Sequence, residues 1–194
     1  MMNIIDRVWD FGDRFFTAVY STIIRKRFSR WGDRSRIEWP ARLVSPGLII
    51  VEDNVRICEH AWLNAKDDRG DGKPTLCIGQ GTYIGRFAHI NAWRDVQIGR
   101  NVLMADRVFI SDADHNFTDL EIPIIKQGDR FKGSVCLGDG CWLGIGAVIL
   151  PGVTIGRNAV VAANSVVTKS VPDHAVVGGI PARLLNLTPK GDEK

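Results

Sequence analysis

The sequence has few cysteines, and no recognisable pattern joins them. Cys58, Cys77, Cys136 and Cys141 are all that 194 residues contain, and no two form a CxxC pair. They read as reduced core or surface thiols of a cytosolic protein. Long apolar runs are missing too. The longest uncharged run of the N-terminal segment, Phe15–Ile24, is shorter than the ~20 apolar residues that a bilayer crossing needs. Asp6, Asp10 and Asp13 precede that run and no cleavage site follows it, so a signal peptide is not expected. Net charge is only +3. No basic stripe interleaved with aromatics runs through the chain's repeats, which argues against a nucleic-acid partner. The charge is uneven, however: residues 1–42 hold nine Lys/Arg against five Asp/Glu.

What is present is a beat of six. From Leu137 to Pro172 the chain reads LGDGCW, LGIGAV, ILPGVT, IGRNAV, VAANSV, VTKSVP. The lead positions are aliphatic: Leu137, Leu143, Ile149, Ile155, Val161 and Val167. The fifth positions are small or β-branched: Cys141, Ala147, Val153, Ala159, Ser165 and Val171. Neither strand alternation nor a helical stripe gives this period. A parallel β-helix does, because each short strand and corner repeats the same inward and outward positions.

Upstream, Val51, Ile57 and Leu63 lead one set of hexads, Ile78, Ile84 and Ile90 a second, and Ile98, Met104 and Ile110 a third. At three hexads per coil this predicts an all-β domain of about five coils over residues 46–185. Two interruptions, Asn64–Cys77 and Asp112–Val135, read as surface inserts, which often lie on the binding face of a repeat array. At 45% hydrophobic content one such domain can bury a sizeable core. Residues 186–194 read as a polar tail.

Residues 1–45 form a separate N-terminal segment. Ile4, Val8, Phe11, Phe15, Val19 and Ile23 recur at three- and four-residue spacing, which predicts an amphipathic helix over about residues 3–29. Arg25, Lys26, Arg27, Arg30 and Trp31 follow the stripe. Two readings stay open: the helix packs on the β-helix or a neighbouring subunit, or residues 1–31 make a peripheral contact with an anionic membrane face.

The second insert opens with ISDADHNF, setting His115 among Asp112, Asp114 and Asn116. A histidine beside carboxylates in an exposed loop suits a general base, because imidazole titrates near neutral pH and a carboxylate can orient the ring. The segments ISDADH, GDGCWLGIGAVILPGVTIGRNAVVAANSVVTKSVP and GGIPARL together resemble the hexapeptide-repeat acyltransferases, in particular the sugar O-acetyltransferase branch. The resemblance covers about Val51 to Leu185. It implies a left-handed β-helix, assembly as a homotrimer, and acetyl-CoA bound in the cleft between subunits, with no metal.

Carried over position by position, the resemblance makes His115 the catalytic base. Trp142 matches a tryptophan near the acyl donor, and the Gly144–Ile145 backbone matches a main-chain amide that faces the thioester and can stabilise an oxyanion. Ala163, Thr168 and Lys169 match positions lining the CoA arm, and Arg183 matches a basic residue on the nucleotide phosphates. Where the family often has a second basic residue, Asn186 stands here. On the acceptor side Gly85 and Trp93 replace the asparagine and aspartate of the maltose and galactoside enzymes. Trp93 suits a sugar ring face. His89 resembles a histidine of polysaccharide-modifying members, and Asp112 joins them as an acceptor-side candidate.

The expectation is therefore a cytoplasmic acetyl-CoA-dependent O-acetyltransferase, with a peripheral seat at the inner membrane face left open, acting on a sugar hydroxyl of a surface glycan or its precursor. Rival readings are a serine-type or amino-sugar acceptor, a non-catalytic hexapeptide scaffold, and a zinc hydratase of the carbonic anhydrase kind. The last needs three histidines on the metal, and after His115 the next is His174.

Overall fold

The computed structural model describes residues 4–187. From Arg30 onward the chain winds into a parallel β-helix with three flat faces. One face stacks the strands from Arg30–Trp31 to Thr154–Ile155, the second those from Arg36–Ile37 to Val160–Val161, and the third those from Arg42–Val44 to Val166–Val167. Every contact between successive coils on these faces is parallel. Strand Ala175–Gly179 begins a further turn on the second face, and Ala182–Leu187 closes that face antiparallel to it.

The beat of six maps directly onto burial. All the lead positions from Leu137 to Val167, and all the fifth positions from Cys141 to Val171, are buried. Polar residues in fifth-type slots carry their own partners. Thr82 donates its hydroxyl to Gly99 O at 2.8 Å and accepts from Val102 N at 3.1 Å, while Ser165 Oγ accepts from Gly179 N at 3.1 Å. A buried hydroxyl is tolerated only with such a partner. The corners need left-handed backbone. At Gly146, with φ of 70°, an added Cβ would lie 2.3 Å from Asn164 Oδ1 of the next coil.

The structure holds six complete coils rather than five. The additional one, Arg30 to Val44, lies inside the stretch the periodicity assigned to the N-terminal segment. Its lead positions are Trp31, Ile37 and Leu43, and only Ile37 is fully buried. An end coil has a neighbour on one side only, so its aliphatic beat is relaxed and the repeat is hidden.

Helix α1, Ile4–Ile24, continues into a short 3-10 turn, Arg25–Arg27, and caps the open end of the first coil. Ser21 fixes which face turns inward. Its hydroxyl donates to Ile37 O at 3.0 Å and accepts from Ile37 N at 2.9 Å, taking the place of a preceding strand. Ile24 and Phe28 are buried beside it, and Phe28 meets Trp31 edge-on at 4.7 Å. Of the two readings of the apolar stripe, packing on this chain's own coils does not hold for its C-terminal half: Phe15, Val19 and Ile23 are exposed. The side chains of Ile4, Val8 and Phe11, and the tail from residue 188, lie outside the described residues. No helix of the described residues is long and apolar enough to cross a membrane.

Both inserts leave the third face at the same corner, one after Trp62–Ala65 and the other after Phe109–Ser111. Arg94, on the intervening coil, joins them. Its Nε lies 2.6 Å from Asp68 Oδ2 in the first insert, and its guanidinium lies over the Phe131 ring of the second at 4.8 Å.

Candidate active site

The second insert is built on a two-stranded antiparallel hairpin, Ala113–His115 with Asp129–Phe131, whose register sets His115 opposite Asp129. That register brings His115 Nδ1 into hydrogen-bond contact with Asp129 Oδ1. The imidazole is 69% exposed on its side-chain surface, so the second ring nitrogen is open to a substrate. Hydrogen bonding of Nδ1–H to the carboxylate leaves Nε2 as the proton acceptor.

The carboxylates that flank His115 in sequence do other work. Asp114 Oδ1 accepts from His115 N at 3.0 Å, and its Oδ2 lies 3.4 Å from Lys132 Nζ. Asp112 is fully buried, and its carboxylate accepts the backbone amides of Trp93, Arg94 and Asp95 at 2.8–2.9 Å. Its oxygens are taken, so Asp112 anchors the root of the insert instead of contacting an acceptor. Asn116 holds the hairpin, accepting nothing from the ring: its N–H donates to Gly128 O at 2.9 Å.

Of the other acceptor-side candidates, Gly85 is also removed from a ligand. It is buried at a corner where an added Cβ would lie 2.6 Å from Ala105 C, so the glycine is there for close stacking of coils. Trp93 is half-buried at the shared corner with Lys66 Nζ 3.9 Å above its ring. His89 belongs to a ladder across the third face. Its ring stacks on Trp62 at 4.1 Å and meets Phe109 edge-on at 5.3 Å, while Arg42 covers Trp62 from the other side. His89 Nε2 lies 3.0 Å from Asn91 Oδ1, which also accepts from Asn64 Nδ2 at 2.9 Å. Burial pulls the His89 pKa down. Trp93 and the His115 hairpin thus share one edge of the prism, and His89 opens the strand that leads to it.

The donor-side candidates divide between the second face and the C-terminal end, where Thr168 and Lys169 follow the last strand of the third face. Trp142, on strand Trp142–Leu143, points out from the second face between Leu103 and Val160 and is half-exposed. The corner that follows it lacks a carboxylate cap that several other corners carry. At Arg86, Arg100 and Arg157 the corner amide donates to Asp106, Asp139 and Asp173 of the next coil at 2.7–2.9 Å. Beneath Gly144–Ile145 the stacked residue is Ala163, whose N would lie 2.6 Å from a Cβ on Gly144. Alanine offers no carboxylate, so the Ile145 amide keeps its capacity to donate. Lys169 and Arg183 come together on a cavity of about 390 Å³ at the C-terminal end, also lined by Val177 and Leu184. Thr168 adjoins it and is exposed. His115 does not line this cavity. A larger one, of about 1300 Å³ between α1 and the first two coils, holds none of the candidate residues.

A family profile described as "Bacterial transferase hexapeptide (six repeats)" matches residues 137–169. The chain is 36% identical over 152 residues to the galactoside O-acetyltransferase of Escherichia coli K12, covering 75% of this chain and 70% of that one. The chain belongs to the hexapeptide-repeat acyltransferase family. Its coils are the left-handed β-helix of that family. A second E. coli K12 relative, the putative lipopolysaccharide biosynthesis O-acetyl transferase WbbJ, is 33% identical over 59% of this chain and 61% of its own length. The chain spans a smaller share, 37%, of the probable acetyltransferase Rv3034c of Mycobacterium tuberculosis, which is 38% identical over 57% of this chain. Among solved structures, the hexapeptide-repeat-containing acetyltransferase VCA0836 of Vibrio cholerae O1 biovar eltor, complexed with acetyl coenzyme A, superposes with a TM-score of 0.59. It is 25% identical, over 89% of this chain and 78% of that one.

Asp129 is a candidate site residue that the sequence does not single out. It lies across a hairpin from His115 and its role depends on strand register, which no spacing rule within the loop displays.

Proposed function

We propose that this hexapeptide-repeat protein transfers the acetyl group of acetyl-CoA to a sugar hydroxyl, on a surface glycan or its precursor. The observation that carries the reading is His115 held by Asp129 at the mouth of the insert, with Nε2 open. The acceptor class is supported by the likeness to a galactoside O-acetyltransferase and to WbbJ. The donor is supported by the Lys169–Arg183 cavity, whose two cations suit the phosphates of CoA, and by the uncapped Ile145 amide.

In the reaction, Nε2 of His115 removes the acceptor hydroxyl proton as that oxygen bonds to the thioester carbonyl carbon. The carbonyl oxygen becomes an oxyanion, which the Ile145 N–H stabilises. When the tetrahedral centre collapses, the carbon–sulfur bond breaks and the CoA sulfur leaves with the proton from the imidazolium. Asp129 keeps Nδ1–H directed at itself and stabilises the transient positive ring. Within one chain His115 stands at the edge between the third and first faces, while Trp142 and Ile145 lie on the second face and the following corner. That separation supports a closed trimer in which one subunit's His115 meets a neighbour's donor groove. The zinc reading gains no support from ligand geometry. Among the described residues, the one group of side chains close enough to share an ion is Glu38, Cys58 and Glu59, and it contains no histidine.

The test is an acetyl-CoA assay against sugars, nucleotide sugars and lipid-linked oligosaccharides, with an amino sugar and serine alongside. Transfer to a hydroxyl of a sugar is expected. Lys169→Ala and Arg183→Ala should raise KM for acetyl-CoA by roughly 10-fold, the value of a charge-assisted contact, with kcat little changed because both states of the donor are held alike. Acetyl transfer confined to an amine or to serine would overturn the acceptor class.

A further inference from the structure

Helix α1 uses one face to cap the coils and leaves another uncovered. At about 100° per residue, Phe15, Phe16, Val19 and Ile23 occupy an arc of roughly 100°, turned well away from Ser21 and Ile24. Their exposures are 63, 53, 41 and 69%. Trp39 extends this face from the first coil. It is itself exposed and meets Phe16 edge-on at 5.7 Å. A tryptophan at the margin of an apolar patch suits the boundary between hydrocarbon and water.

The charge that runs along the chain through the C-terminal half of the helix and past it has one sign. From residue 14 to residue 32 the chain carries Arg14, Arg25, Lys26, Arg27 and Arg30 and no carboxylate. Arg25, Lys26, Arg27 and Arg30 are all exposed, and among the described residues none meets a carboxylate within 4.0 Å. A second copy of the chain would have to bring these cations against its own like-charged cluster wherever the helices met symmetrically. An anionic lipid surface satisfies both features at once, taking the apolar side chains below its headgroups and the cations among its phosphates.

We infer that α1 is a membrane-surface docking element: the exposed Phe15–Phe16–Val19–Ile23–Trp39 face and the cations from Arg25 to Arg30 seat the protein on an anionic bilayer. Ser21, Ile24 and Phe28 fix the helix to the first coil, so the rigid β-helix is held at the bilayer by that end.

The experiment is sedimentation of the full chain with two kinds of vesicle, phosphatidylcholine alone and phosphatidylcholine with one-third phosphatidylglycerol. Binding is expected to the second kind at low salt, with release as salt screens the cations. Arg25→Gln/Lys26→Gln/Arg27→Gln should weaken it by about 100-fold, from about fivefold per cation. Val19→Ser/Ile23→Ser should abolish sedimentation while light scattering gives an unchanged mass. Failure to sediment with anionic vesicles at low salt overturns the inference. So does a Val19→Ser/Ile23→Ser protein that keeps its vesicle binding but loses its oligomer, which would make the face a contact between copies.

Discussion

In the coils, Leu143, Ile149 and Ile155 are wholly buried, whereas in the inserted loop Leu120 and Ile125 are 93% and 85% exposed. The coil residues meet the same neighbours above and below at every turn, so their positions are fixed many times over. The loop is held by one short hairpin, by Asp112 at its root and by Gln127, whose Nε2 donates to the carbonyls of Asp119 and Ile122. Phe117, Ile122 and Ile124 add to its exposed apolar surface. The packed body leans on the root of the insert through Asp112 but not on its tip, and the tip is free to present a histidine and an apolar surface to something outside the chain. In a trimer that outside surface would be the neighbouring subunit.

The sharpest way to break this contrast is to exchange the effects. His115→Ala should lower acetyl transfer by ~10²–10⁴-fold, as removal of a general base does, and shift stability by no more than about 0.5 kcal/mol, as at other surface positions. Leu143→Ala should do the opposite. Deleting a fully buried leucine costs about 2–5 kcal/mol, while turnover per folded molecule stays near its starting value. Chemical denaturation and steady-state kinetics on the two variants measure both axes. A His115→Ala protein that unfolds easily, or one that retains near-normal kcat on a verified acceptor, would mean that the loop and the body are not separable.

Asp129→Asn sharpens the assignment inside the loop. The amide can still hydrogen-bond Nδ1, but it carries no charge to stabilise the imidazolium and can reverse the tautomer preference. A drop in kcat of up to ~10²-fold is expected, the scale of a misplaced reacting group. KM for acetyl-CoA should remain unchanged, since Asp129 does not line the donor cavity. A variant that loses donor affinity and keeps kcat would assign Asp129 to the donor side.

How much of this could be read from the chain follows from the same division. Leu137 to Val171 declared their burial because each slot is repeated, and repetition turns a tertiary property into a local one. Trp31 and Leu43 hid the first coil because an end coil is packed from one side. Phe15, Val19 and Ile23 show the helix but not what it packs on, because Ser21, a polar residue, makes the decisive contact by replacing a strand's hydrogen bonds. His115 stands out as a candidate from its loop and its family motif. Asp129 does not, and Asp112 was misjudged, because a carboxylate that caps three amides of the preceding coil looks in sequence like any other loop aspartate.

The smallest expected effect belongs to His89, which lies on the third face of the body. Burial against Trp62 depresses its pKa below the ordinary histidine value, so the folded state binds its proton less readily than the unfolded chain does. Between the depressed value and the unfolded value of about 6.5 the unfolded state therefore holds more protons, and stability falls as pH is lowered through that window. Above it the neutral imidazole contributes its stacking in full. His89→Gln should flatten this part of the stability–pH curve without changing the behaviour of Leu143→Ala at neutral pH. Denaturation midpoints measured from pH 7.5 down to pH 5 decide the matter: a curve whose acid slope is the same with and without His89 would place the titration elsewhere, and the ladder of Arg42, Trp62, His89 and Phe109 would then be indifferent to the charge of its histidine.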